Sequence, residues 1–182
     1  MLDEYGRERL RDVLQASSPA VRERYTSAIP IDWHPVEELI DFVRAAERVL
    51  GAGRAPGRVA EAIGAAGARA NMRGLAVRLA VWMARPEALV ARAAAVWRQF
   101  NDEGSMDLIE TGENVGRFEL KGVDLDDPLF CAVLTGWFRE IAAGVGVVSP
   151  LAKHVECKLR GGERCVWEVR YARIDVKGPA RD

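Results

Sequence analysis

The stretch DDPLFCAVLTGWFREIAAG, residues 126–144, decides the fold. Asp126-Asp127-Pro128 opens a helix, with proline in the first turn where its missing N–H does no harm. Phe130, Val133, Leu134, Trp137, Phe138 and Ile141 then recur at i, i+3, i+4, i+7, i+8 and i+11, which lays one apolar stripe along the helix. Gly144 ends it. On either side the period drops from 3.6 to 2. Upstream, Ser105–Thr111 and Arg117–Val123 read as strands around Gly112-Glu113-Asn114. Downstream, Leu151–Leu159 and Arg164–Arg173 read as a hairpin around Gly161-Gly162. This part of the chain is therefore β-β-α-β-β with an antiparallel sheet.

Outward from that unit, the first hundred residues read as helices. One spans Asp3–Gln15 with Leu10, Val13 and Leu14 inward, and a second follows the Ser18-Pro19 cap to about Ala28. Ile29 to His34 is extended, because Pro30 and Pro35 each push the preceding residue out of the helical region. A third helix starts at Pro35, shows Val36, Leu39, Ile40, Val43 and Leu50 on one side, and stops at Gly51. Gly51 to Gly57 is a loop, and helices follow over Val59–Ala70, Gly74–Met83 and Pro86–Phe100. The class is α+β: one domain over 1–173, helical in 1–100 and β-β-α-β-β in 101–173, with a flexible tail at 174–182.

The chain has 182 residues, enough for one sizeable core, and 49% hydrophobic with 29% charged residues is globular composition. No apolar run approaches the roughly 18 residues of a membrane span, and no apolar segment follows the early charges to make a secretory signal. Three cysteines argue against a disulfide framework, and the expected location is the cytoplasm. Residues 51–100 carry 8 basic against 2 acidic side chains. These arginines alternate with Ala, Val and Leu at helical spacing, which reads as a solvated or partner-facing helix surface. Arg58 to Gly64 has a faint helix-turn-helix flavour, but the residues after it offer few of the side chains that read bases. No nucleic-acid partner is expected.

All three cysteines and one of the two histidines fall within 35 residues: Cys131, His154, Cys157 and Cys165. Three thiolates and an imidazole are a tetrahedral zinc set, and four protein ligands make a closed, structural site. A short loop with glycine in the left-handed conformation puts residues 157 and 165 opposite each other. Cys131 sits in the first turn of its helix, where the dipole lowers a thiol pKa. Strand alternation stands against His154, since residues 154 and 157 point to opposite faces unless a bulge or an irregular strand start after Pro150 intervenes. The competing reading makes Cys131 a small core residue and His154 a surface one, and a Cys157–Cys165 disulfide is a further alternative.

Cys157, the Gly161-Gly162 turn, Cys165 and the pair Val166-Trp167 resemble the signature of the 4-vinyl reductase domain. That domain is related to the haem–NO-binding domain and to a subunit family of the Golgi transport-protein particle. The resemblance covers roughly residues 95–172 and implies the NO-signalling and Golgi-transport ligand-binding fold. Phenol-sensing regulators of this kind hold zinc with a Cys near a helix start and with an acidic residue and two Cys on the terminal hairpin. Cys131, Cys157 and Cys165 match those cysteines, and His154 stands where the acidic ligand would be. The whole chain also looks like a myxobacterial paralogous domain of unknown function, through Trp33-His34-Pro35-Val36, the segment from Trp97 to Gly104, and Gly136-Trp137.

The resemblance further implies a small apolar ligand between helices and sheet, with Trp82, Trp97, Phe100, Phe118, Phe130 and Trp137 as candidate pocket residues; aromatics at such spacing also serve as plain core. Haem is rejected, because His34 at a helix start reads as surface and the haem domain's Tyr-x-Ser-x-Arg pattern is absent. No phosphate loop is present, and no third residue orients a Cys–His pair. The expectation is a non-enzymatic sensing or regulatory module with a structural zinc. The alternative is an interaction adaptor resembling the transport-particle subunits, without a small ligand. A reductase survives only through the domain's name. A homodimer through the helical half, around Val81-Trp82-Met83 and Trp97, is also expected, as is a protein partner.

Overall fold

A computed structural model describes residues 2–27, 34–72, 97–98, 100–124, 127–144 and 147–174. Helices α1 (Leu2–Ala16), α2 (Pro19–Ser27), α3 (Val36–Leu50) and α4 (Arg58–Met72) precede strands β1 (Ser105–Gly112) and β2 (Val115–Lys121). Then come α5 (Pro128–Gly144), β3 (Val147–Val148), β4 (Leu151–Glu156), β5 (Cys165–Arg170) and β6 (Arg173–Ile174). The α+β class and the antiparallel β-β-α-β-β unit are as the periodicity indicates.

Asp127 starts α5. Its Oδ1 accepts from the Leu129 N–H at 2.7 Å, and its Oδ2 accepts from Arg44 on α3 at 2.6 Å. The helix that follows is not the one-sided amphipathic element its stripe suggests. Phe130, Cys131, Leu134 and Phe138 join the sheet core with Phe118, Leu120, Trp167 and Val169, whereas Val133 packs with Val43 of α3 and Ala60 of α4. The helix is the middle layer of three, sheet, α5, then α3 with α4, and so it needs two apolar faces.

The sheet order is β1-β2-β5-β4, antiparallel throughout. Its inner residues Met106, Phe118, Leu120, Cys165, Trp167 and Val169 are buried, and Phe118, Trp137 and Trp167 surround Phe138 with ring centroids 5.4–5.7 Å apart. β3 and β6 form a second, two-stranded sheet, so Ile174 belongs to a strand and not to a tail. Two residues per strand leave no period to read.

In the helical half, Val13, Ala45, Ala46, Leu50 and Val59 make a second core. Carboxylates on α3 tie its neighbours: Asp41 accepts from the Ser18 N–H ahead of α2, and Glu47 from the Ala60 N–H in the first turn of α4. Ser18 caps α2 as expected, 3.3 Å from the Val21 N–H. Leu39, placed on the apolar side of α3 by its spacing, is exposed. Arg58 to Gly64 lies within continuous α4, with no turn, which removes the helix-turn-helix reading of that segment. The extended segment before His34, the helix Gly74–Met83, the residues before Trp97 in the next helix, Trp33, Trp82 and the tail beyond Ile174 lie outside the described residues. Among the described residues no helix is long and apolar enough to cross a membrane.

Candidate metal centre

Three pieces of chain meet beneath the terminal hairpin. Cys131 comes from the first turns of α5, Cys165 opens β5, and Cys157 precedes a 3₁₀ turn at Lys158–Arg160. That turn closes with the Gly162 N–H donating to the Cys157 carbonyl at 2.9 Å, and Gly161 at φ 85° supplies the left-handed residue a loop this tight requires. Glu156 faces Val166 across the ladder, so Cys157 and Cys165 follow in register.

His154 reaches the same point through a bulge. Trp167 pairs with His154 and Val166 with Glu156, so two residues of β4 advance against one of β5. The extra residue, Val155, is 49% exposed, and it shifts the alternation so that His154 and Cys157 share a face. The donor atoms of Cys131, His154, Cys157 and Cys165 all lie within 4.8 Å of one another. Sulfurs on one tetrahedral zinc sit about 3.8 Å apart, given Zn–S bonds of about 2.3 Å. All three cysteines are free thiols and buried.

The imidazole is fixed on two sides. Its ring stacks on the indole of Trp167, centroids 4.2 Å apart and 11° from parallel, and its Nδ1 lies 3.2 Å from the Arg160 guanidinium. Its Nε2 is buried with no hydrogen-bond partner. A buried, unpartnered ring nitrogen on a residue of such a cluster is a competent metal donor. Behind the site, Trp167 Nε1 donates to Thr135 Oγ1 at 3.0 Å, and that hydroxyl donates to the Cys131 carbonyl at 2.8 Å.

The electrostatics distinguish the thiols. Burial, reinforced by the neighbouring sulfurs, pushes the Cys131 thiol far above its ordinary range, so desolvation outweighs the helix dipole expected to lower it. Burial also raises Cys165. At Cys157 burial is outweighed by the Leu159 N–H and the Arg160 guanidinium, which hold its thiol below the usual range. Burial and Arg160 push His154 down to about 4, leaving a neutral imidazole at pH 7.

Of the candidate pocket residues, Trp97, Phe118 and Phe130 are buried in the sheet core and Trp137 packs against it. Trp97 Nε1 donates to the Glu103 carbonyl at 3.0 Å. Phe100 is half-buried. The sequence reading passed over the roles of Trp167, Thr135 and Arg160. Trp167 lies two residues past Cys165 on one strand face, and Thr135 four past Cys131 on one helix face, so both spacings carried a signal. Arg160 carried none.

No protein-family model matches this sequence, and no curated protein does. Solved structures do. An H-NOX domain from Shewanella oneidensis in its Fe(II)CO state superposes with a TM-score of 0.68 at 12% identity, covering 94% of this chain and 92% of that one. An Fe(II) unliganded H-NOX protein from K. algicida gives 0.63 at 10% identity, covering 94% and 90%. A structure from a study of heme distortion in the H-NOX family gives 0.64 at 11%, covering 96% and 90%. The chain has the H-NOX fold, in agreement with the haem–NO-binding side of the resemblance.

The histidines do not fit haem. Of the two histidines, His34 is exposed ahead of α3, and His154 is turned into the thiols and flat against Trp167. Among the described residues no buried histidine stands apart from the thiol cluster to ligate a haem iron. The four donors converge on a volume for one ion.

Proposed function

We propose that this chain is a non-enzymatic ligand-sensing or regulatory module of the 4-vinyl-reductase-like kind, with a structural zinc ion held by Cys131, His154, Cys157 and Cys165. The observation that carries the metal is the convergence of the four donors, with the Nε2 of His154 buried and unpartnered. An ion bound there supplies no reaction; it pins the β4–β5 hairpin to the start of α5 and links segments distant in sequence. The sensing role rests on the fold, which in the H-NOX structures houses a heme, and on the aromatic cluster of Trp97, Phe118, Phe130 and Trp137. A small apolar molecule is the ligand class such a lining suits.

A native mass spectrum of reduced protein as purified tests this. One zinc per chain, removed by chelator and regained on addition, is the expected result, together with a co-purifying apolar molecule. A chain that carries no metal and takes up none overturns the metal centre. An interaction adaptor is the second reading. It is favoured by Leu151 and Val155 of the edge strand β4 and Leu159 of the turn after it, which are 61%, 49% and 39% exposed. A metal-loaded protein without ligand that forms a stable homodimer or partner complex would support that reading.

A further inference from the structure

We infer that Arg160 is the positioning cation of the metal centre, its guanidinium offsetting the excess negative charge of the sulfurs from the exposed side of the hairpin. The inference rests on the zinc reading above and concerns a residue outside the four ligands.

Three thiolates against one divalent ion leave the centre with a net charge of −1. Cys157 and Cys165 are buried at the two ends of the hairpin loop, and the loop residues between them are mostly exposed. Arg160 belongs to that loop. The 3₁₀ turn places it there: its own N–H donates to the Cys157 carbonyl at 3.0 Å, and its guanidinium reaches back to His154, 3.2 Å from Nδ1 and 3.4 Å from the carbonyl oxygen. Among the described residues no carboxylate forms an ion pair with Arg160. Its neighbour Arg164, by contrast, is engaged by Glu156 and Glu119.

Protonation fixes what Arg160 does when a metal is bound. A neutral imidazole that ligates through Nε2 carries its proton on Nδ1, and a guanidinium only donates. The acceptors then left to Arg160 are the His154 carbonyl, 3.4 Å away, and the sulfur of Cys157 at the start of its own turn. Donation to a metal-bound thiolate spreads the charge of the centre, and outer partners of this kind typically change metal affinity by 10- to 100-fold. The Trp167 stack meanwhile holds the ring plane, so the imidazole does not have to follow the guanidinium.

Zinc affinity measured by competition with a chromophoric chelator, on reduced full-length protein at fixed pH, tests the inference in the wild type and in Arg160→Gln and Arg160→Lys. Arg160→Gln should bind zinc about tenfold more weakly. Arg160→Lys should recover most of that loss, and the gap between wild type and Arg160→Gln should narrow at high salt, since the charge acts from an exposed position. The melting temperature of the metal-free protein should be the same in all three. Equal zinc affinity in wild type and Arg160→Gln overturns the inference, as does an Arg160→Lys variant as weak as Arg160→Gln. A wild type that binds no zinc overturns the metal centre itself, so the two failures are told apart.

Discussion

Gly64 of α4 and Gly136 of α5 each lie against the backbone of the other's helix. A Cβ on Gly64 would run into the Val133 carbonyl group, its carbon 2.7 Å away, and a Cβ on Gly136 would meet the Glu61 carbonyl group, its carbon also at 2.7 Å. The obstacle on both sides is main chain, which has no rotamer to yield. Ion pairs Arg69–Glu140 at 2.9 Å and Arg139–Glu61 at 3.5 Å bridge the same two helices, but these partly exposed pairs add little. The close approach lets α5 serve as a middle layer, with its opposite face free for the sheet.

Gly64→Ala and Gly136→Ala should therefore each destabilise the protein by about 2–3 kcal/mol, the range of overpacking in a well-filled core. Helix propensity alone predicts the opposite sign, a gain of about 1 kcal/mol. Gly67, on the same helix with nothing near its Cβ position, is the control, and Gly67→Ala should be neutral or stabilising. Urea denaturation of the three variants separates the two effects.

Asp127 does two jobs, one per oxygen. It caps α5 through Oδ1 and pairs with Arg44 through Oδ2, with the second Arg44 nitrogen also at 2.6 Å. Asp127→Ala should cost about 1–2 kcal/mol, since a cap and a partner are lost together. Asp127→Asn keeps the capping oxygen and gives up the charge, and should fall between the two. Denaturant midpoints at one pH rank them.

The elements legible in the sequence were those long enough to repeat their period. The stripe on α5 and the two hairpins emerged within three residues of their observed ends, whereas β3 and β6 were too short to show. His154 illustrates the boundary within the site. Its residue type and its place near Cys157 pointed to the metal, and its position in a regular strand pointed away. The bulge that reconciles them inserts Val155, an ordinary strand residue with no local mark of irregularity. Gly64 is the converse case: a glycine in an Ala-rich helix reads as a weak spot or a turn, and only the path of α5, about 70 residues on, explains it.

On the outer face of the sheet, Glu168 accepts from Arg170 at 2.6 Å and from Arg117 at 2.9–3.0 Å. Arg170 first, then Arg117, hold its carboxyl below the ordinary value of 4.5. A carboxyl depressed in the folded state stabilises the fold above its unfolded pKa and ceases to do so as pH falls through the folded value. Glu168→Gln should thus be less stable than wild type at pH 7, and the difference should close as pH drops below about 4.5. Thermal melts of both proteins from pH 7 to pH 3 check the trend. A difference independent of pH would mean that the side chain matters for packing alone.

Metal binding should release protons in a number set by the thiols. Cys131 and Cys165 are held protonated at neutral pH by burial, and Cys157 is held lower by the Leu159 N–H and Arg160. His154, pushed down to about 4, has no proton to give from its cationic form. Since a metal takes thiolates and neutral imidazole, zinc binding at pH 7 should release about two to three protons. Calorimetric titration in two buffers of different ionisation enthalpy counts them. Because binding to the folded state adds to its stability, a chelator should lower the melting temperature, and added zinc should restore it. Cys165→Ser removes a thiolate from the buried side and should abolish the restoration at equimolar zinc. His154→Ala leaves the three sulfurs and should weaken it without abolishing it. A melting temperature indifferent to chelator and to zinc in the wild type would reduce the cluster to packing.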